Sequence, residues 1–302
     1  MQKIGFIGVG KVGLPICSHL LKSGYSVIGY RRGSLAEFEA LGGIRAQSPA
    51  AVGAQAEIVF SCLPDAGALD EVMAGPLGLI ASARPGQVVV ELGSHPLRIK
   101  ERYVAPFADK GVAFLDGEVS GTPGMMAQRK GVIYLGGPIE AVKAVEPVIV
   151  GFADLCIHLG EFGSATKVKL VNNLLVALHI AGAAQAMAIG LKTGVDPDLL
   201  IKAVAQGSGG STQFAIRAPW MATRRFTPAH GLAHGLAHYL GGCKDLADEI
   251  GVATPILDCL IDLYARATPG IGERDVAALI EFFESSTSTP ATCQDLREEQ
   301  PT

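Results

Sequence analysis

The segment Gly8-Val9-Gly10-Lys11-Val12-Gly13 follows the apolar run Ile4-Gly5-Phe6-Ile7 and opens a helical pattern over residues 14–22. Few local patterns restrict a fold as tightly. In Gly-x-Gly-x-x-Gly between a strand and a helix, the first glycine makes a tight turn and the second lets backbone approach a pyrophosphate. The third lets the helix pack close on the strand, and the helix N-terminus supplies a positive pole for the anion. Gly24 and a second apolar run over 27–30 complete a strand, loop, helix and strand. The expectation is a nicotinamide- or flavin-nucleotide site with Gly8, Val9, Gly10, Lys11, Val12 and Gly13 as its phosphate loop.

Further β-branched runs at 58–63, 88–92, 114–119 and 132–135 alternate with helical patterns, which predicts βαβ units and a doubly wound, parallel Rossmann sheet over residues 1–162. Beyond Gly163 strand signals stop and Ala/Leu-rich helical stretches continue to Glu284, so residues 163–284 read as an all-α C-terminal domain. Its first helix is capped by Ser164 and stopped by Gly194. At roughly 28 residues and about 40 Å it exceeds the needs of one small domain, which predicts a long interdomain spine packed on another subunit, in a homodimer or tetramer. Residues 285–302, rich in Ser, Thr, Pro, Gln and Glu, predict a disordered tail.

At 302 residues, 49% apolar and 18% charged, the chain can bury two globular cores. A net charge of −4 with no basic run leaves no electrostatic footprint for nucleic acid, which points to a small-molecule partner. The longest apolar stretches are interrupted by Gly, Pro or a charge, and nothing resembling a leader precedes the first strand; the expectation is a soluble, cytoplasmic protein with no membrane partner. Six scattered cysteines show neither Cys-x-x-Cys nor zinc spacing, so no metal is expected. The end of the second predicted strand reads Tyr30-Arg31-Arg32, with no acid for a ribose 2′-hydroxyl. Two planar guanidinium groups there suit a 2′-phosphate and predict NADP(H) over NAD(H).

Several segments together resemble the β-hydroxyacid dehydrogenases, a family that includes 3-hydroxyisobutyrate dehydrogenase, tartronate semialdehyde reductase and the glyoxylate/succinic semialdehyde reductases. Gly8 to Pro15 is similar to the family's Gly-x-Gly-x-Met-Gly-x-Pro, with Val12 in place of Met. Cys62-Leu63-Pro64-Asp65 resembles the turn that runs along the cofactor, which implies contacts from Leu63 and Pro64. Glu91-Leu92-Gly93-Ser94 resembles Asp-x-Ser-Thr, and the resemblance implies that Ser94 lies by the nicotinamide. Asp116 to Gly124 is similar to the substrate-binding Asp-x-Pro-Val-Ser-Gly-Gly-x-x-Gly, implying substrate contacts from Ser120, Gly121 and Thr122. Glu118 replaces the family's proline, and a carboxylate there opposes an anionic substrate unless it turns away or pairs with a cation.

The run from Gly160 to Asn173 resembles Gly-x-x-Gly-x-Gly-x-x-x-Lys-x-x-x-Asn, with Ala165 for one glycine. Counted back from the asparagines, Lys169 takes the catalytic position, and Asn172 and Asn173 the substrate side. Lys169 and Asn173 share a helix face at i,i+4, whereas Lys167 points elsewhere. Lys244-Asp245-Leu246 resembles the Lys-Asp-Leu that approaches the cofactor from the helical domain. The activity implied is NADP-dependent interconversion of a 3-hydroxy acid, or related alcohol, and its semialdehyde or ketone, with Lys169 moving the proton. An imine reductase of the same architecture and a non-catalytic nucleotide-binding module are the alternatives. His230, His234 and His238 recur at i, i+4 and i+8, a spacing that stacks three imidazoles on one face of a helix beside the substrate; His95 is a further candidate for substrate contact.

Overall fold

The computed structural model describes residues 2–285; the expected tail beyond Ser285 lies outside them. Its contacts divide the chain into two units, with the boundary after Lys169, inside one long helix.

The first unit carries an eight-stranded sheet in the order β3-β2-β1-β4-β5-β6-β7-β8. The strands are β1 Lys3–Ile7, β2 Ser26–Tyr30, β3 Ile44–Arg45, β4 Ile58–Ser61, β5 Val88–Glu91, β6 Ala113–Ser120, β7 Val132–Gly136 and β8 Leu155–His158. Six of them match the β-branched runs. The two-residue β3 and the half-exposed β8 carry no such run, so the sequence pattern passes over them. Side chains on successive strand positions face opposite sides. Ile4, Phe6, Phe60 and Val90 therefore join one core while Ile7, Val59, Val89 and Phe114 join the other. Pairing is parallel except between β6 and β7, which run antiparallel. Their connection holds only the five-residue helix Pro123–Ala127, too short for a crossover that returns the chain to the same end of the sheet.

In the second unit the helices Pro197–Gln206, Thr212–Thr223, Ala233–Ile250, Pro255–Ile271 and Leu279–Ser285 accompany the rest of the long helix. Tyr264 is fully buried and its hydroxyl donates to the Ala177 carbonyl at 3.1 Å. The buried Asp275 carboxylate accepts from the backbone N–H groups of His230 and Gly231 at 2.8 and 3.0 Å, and stands 3.6 Å from Arg217. These bonds hold His230 ahead of the helix that begins at Ala233, so only His234 and His238 of the histidine run are helical and the three do not share one helix face. Among the described residues, no group of three His, Cys, Asp or Glu side chains could hold a metal ion.

The long helix Ser164–Lys192 spans 29 residues. It corrects one expectation. No charged residue falls from Leu170 to Leu191, Gly182 does not interrupt the helix, and an 18-residue window reaches a mean hydropathy of 1.9. By length and composition it is the one helix among the described residues able to cross a bilayer, and 39% of that window is buried in the protein.

Candidate active site

A cleft of about 640 Å³ opens at the ends of β1, β2 and β4, lined by the loop Gly8 to Gly13, by Tyr30 to Gly33 and, opposite, by Leu63, Pro64 and Glu71. The three loop glycines meet three different demands. Gly8 has φ +92°, and a Cβ on it would fall 2.0 Å from the Cys62 carbonyl oxygen. At Gly13 a Cβ would lie 2.4 Å from the Gly8 oxygen and 2.6 Å from the Phe6 ring, so the helix Gly13–Lys22 can approach β1 only without one. A Cβ on Gly10 meets nothing nearer than 4.0 Å, which leaves the backbone open to the cleft. Val12 stands at the helix start, where it leaves amide groups unbonded within the helix. Such a cradle at a helix N-terminus fits a pyrophosphate.

At the end of β2, Arg31 donates to the Val9 carbonyl at 3.0 Å and so braces the glycine loop. Arg32 reaches across to Glu71 at 3.6 Å, and both side chains are more than half exposed. Both guanidinium groups line the cleft. The Cys62 thiol lines the same cleft, and burial pushes its pKa up to about 12, with Glu91 and Glu118 adding to the rise; it is a poor nucleophile.

Beyond the next strand the interior is unusually charged. Lys100, wholly buried, donates to Asp116 and Glu118, each at 3.0 Å, and to the Gly117 carbonyl at 3.2 Å. Burial opposes its charge, but Glu118, Asp116 and Glu91 together outweigh burial and raise its pKa. Asp116 accepts from the Thr166 backbone N–H at 2.8 Å and the Thr166 hydroxyl at 2.7 Å, tying the first turn of the long helix to β6. Ser94 donates to the other Glu118 oxygen at 2.6 Å. Glu91 accepts from the Gly93 N–H at 2.6 Å and from the Ser61 hydroxyl.

Lys169 donates to the Val119 carbonyl at 2.8 Å, immediately before Ser120. It is nine-tenths buried; desolvation lowers its pKa, and the Glu118 charge offsets part of that fall. Glu118 is pushed the other way, raised by burial and pulled back by Lys100, the Ser94 hydrogen bond and Lys169. Ser120 ends β6, Gly121 follows, and the Thr122 hydroxyl caps the helix Pro123–Ala127 by accepting from Met125 N–H at 3.2 Å. Four residues along the helix from Lys169, Asn173 is 6% exposed and its Nδ2 has no hydrogen-bond partner within the protein. Its Oδ1 accepts from Asn172 at 3.3 Å. Lys167 is exposed.

Two other residues named from the sequence, His95 and Lys244, have partners of their own within the protein. His95 is buried, 3.5 Å from Glu91, and a Cβ on Gly93 would come within 2.5 Å of its ring. Lys244 pairs with Asp248 and stands 3.8 Å from Asp258. Lys100 went unread because its partners lie 16 and 18 residues away on a neighbouring strand. The one signal for it was Glu118 itself, an acid on a strand interior that demands a cation.

Residues 3–160 match the model of the NAD-binding domain of 6-phosphogluconate dehydrogenase, and 163–283 match the NAD-binding model of NADP-dependent 3-hydroxyisobutyrate dehydrogenase. An L-threonate dehydrogenase of Cupriavidus necator is 32% identical over 93% of this chain and 96% of its own length. The chain belongs to the β-hydroxyacid dehydrogenase family. It is accordingly an NAD(P)-dependent oxidoreductase. Among solved structures, a 3-hydroxyisobutyrate dehydrogenase of Mycobacterium tuberculosis with L-serine shares the fold at a TM-score of 0.85, with 22% identity over 94% of this chain and all of that one. An imine reductase of Myxococcus stipitatus shares it at 0.64, with 19% identity over 93% and 99%. In this β-hydroxyacid dehydrogenase Glu118 pairs with Lys100, a cation it shares with Asp116.

Proposed function

We propose that the protein interconverts a 3-hydroxy acid, or a related small alcohol, and its semialdehyde or ketone, using NADP(H) in preference to NAD(H), with Lys169 as general acid and base. The observation that carries this reading is Lys169 itself: a buried ammonium anchored on the Val119 carbonyl, beside Ser120 and Gly121, with a lowered pKa. When bound, the nicotinamide cofactor supplies or takes the hydride. In reduction, Lys169 gives a proton to the developing alkoxide; in oxidation it takes the alcohol proton. Asn173 Nδ2 offers a further donor to the substrate, and the resemblance adds Ser120, Gly121, Thr122 and Asn172 as substrate contacts. Gly8 to Gly13 would hold the pyrophosphate, with Leu63, Pro64, Ser94 and Lys244 as further cofactor contacts. Lys100, shared with Asp116, offsets only part of the Glu118 charge.

NADP(H) is preferred, in this reading, because Arg32 can leave Glu71 for a 2′-phosphate while Arg31 holds the loop. Arg32→Ala should raise KM for NADPH about tenfold and leave KM for NADH within twofold, since it removes one charge-assisted hydrogen bond that only the phosphorylated cofactor makes. An unchanged cofactor preference would refute it. We read the protein as soluble and cytoplasmic, and as a homodimer or tetramer in which a second copy covers the exposed Val171, Leu175 and Ile189 of the long helix. The function is tested by following NADPH with 3-hydroxy acids, small aldehydes, keto acids and cyclic imines. Turnover of an aldehyde or hydroxy acid supports it; turnover of imines alone, or cofactor binding without any turnover, contradicts it.

A further inference from the structure

Glu118 and Lys100 do more than cancel one another's charge. A serine hydroxyl has one proton and two lone pairs. The Ser94 proton is directed to Glu118 Oε2 at 2.6 Å, and Glu118 Oε1 is fixed by Lys100 at 3.0 Å. Glu118 is only 1% exposed and Lys100 not at all, so neither can be swung aside by solvent. Lys100 is itself held by Asp116 and the Gly117 carbonyl, which keeps its ammonium facing the carboxylate. Ser94 is part-exposed, and with its one proton committed to Glu118 its oxygen has lone pairs alone to offer a ligand.

Ser94 lies just past β5, and β5 is hydrogen-bonded to β4, whose following residues Leu63 and Pro64 wall the cleft. In the cleft the two arginines mark the adenosine end at β2 and the glycine loop marks the pyrophosphate at β1. Continuing across β4 to β5 brings the nicotinamide half to Ser94. The nicotinamide carboxamide carries both a carbonyl acceptor and an N–H donor. An oxygen whose only proton is already committed can take the donor and cannot serve the carbonyl.

We propose that Glu118, fixed by Lys100, is a positioning residue that makes Ser94 an obligate hydrogen-bond acceptor for the carboxamide N–H of the cofactor. The inference rests on the cofactor reading above and deepens it: the proline of the family is exchanged for a device that sets the polarity of one hydroxyl.

Glu118→Gln tests the device because it inverts it. The Lys100 ammonium can only donate, so the glutamine carbonyl must face Lys100 and its NH₂ must face Ser94. Ser94 then accepts from glutamine and turns its proton towards the ligand. The probes are NADPH, its 3-acetylpyridine analogue, which keeps the carbonyl and lacks the amide N–H, and 2′,5′-ADP, which lacks the nicotinamide half. Dissociation constants are measured by titration calorimetry on the full chain. Wild type should bind the acetylpyridine analogue about five- to tenfold more weakly than NADPH, the value of one hydrogen bond. Glu118→Gln should erase or reverse that ratio with 2′,5′-ADP unchanged. Ser94→Ala, which leaves the buried charges in place, should erase it as well and covers the case in which Glu118→Gln fails to fold. Equal affinity of wild type for the two dinucleotides, or a ratio unchanged in Ser94→Ala, overturns the inference. Failure of wild type to bind 2′,5′-ADP would instead overturn the NADP(H) reading.

Discussion

At the scale of single residues, Lys169 and Glu118 act on each other. Burial lowers the lysine pKa, and the carboxylate restores part of the loss. Carbonyl reduction needs the ammonium, so kcat/KM for reduction should fall as pH rises through a pKa below the usual lysine range, while kcat/KM for oxidation should rise over the same interval. Removing the negative charge with Glu118→Gln should move both limbs to lower pH. Profiles whose midpoints stay fixed in the variant would show that the two groups do not sense one another. Lys169 and Asn173 are named in the sequence through the family resemblance, and helical spacing adds only that they share one face, four residues apart. Lys100 left no such trace, because its ion pairs run from the helix Leu97–Lys100 to β6. The same holds for His95, whose contact with Glu91 depends on the space left by Gly93.

At the scale of elements, the strand, loop and helix at the N-terminus were legible almost entirely from Gly8, Gly10 and Gly13, because each glycine answers a different steric demand. Gly8→Ala should therefore be severe. It forces an alanine into φ +92° and drives its Cβ to 2.0 Å from a backbone carbonyl. A cost of roughly 1–3 kcal/mol for the backbone alone, with collision added, should lower Tm by several degrees and abolish binding in the cleft. Gly10→Ala is the contrast: its Cβ meets open space in the cleft, so stability should hold while cofactor affinity falls. A Gly10→Ala protein that loses stability but keeps its affinity would contradict the assignment of the loop. The antiparallel turn from β6 to β7 was less legible, since an alternation of runs carries no strand direction. The histidine run misled for a related reason: its spacing is helical, but Asp275 holds the backbone of His230 and Gly231 outside the helix.

At the scale of the whole molecule, the long helix has apolar side chains on more than one face, with Ala177, Ile180 and Ala184 buried and Val171, Leu175 and Ile189 left open. A second copy of the chain is the partner proposed for the open side. Leu175→Lys should then reduce the particle mass measured by light scattering to that of a smaller assembly, whereas an unchanged mass would place the subunit contact elsewhere. Both domain types were visible in the sequence as a change from strand runs to Ala/Leu-rich helices, because the periodicity itself changes there. In the proposed function the chemistry of the whole molecule turns on one atom, Lys169 Nζ. Its role is decided by the turnover of Lys169→Ala with whichever substrate the screen identifies, alongside the dissociation constant of the variant for NADPH. The expected result is a fall in kcat of at least about a hundredfold with cofactor affinity unchanged; kcat within a few fold of wild type would contradict the assignment.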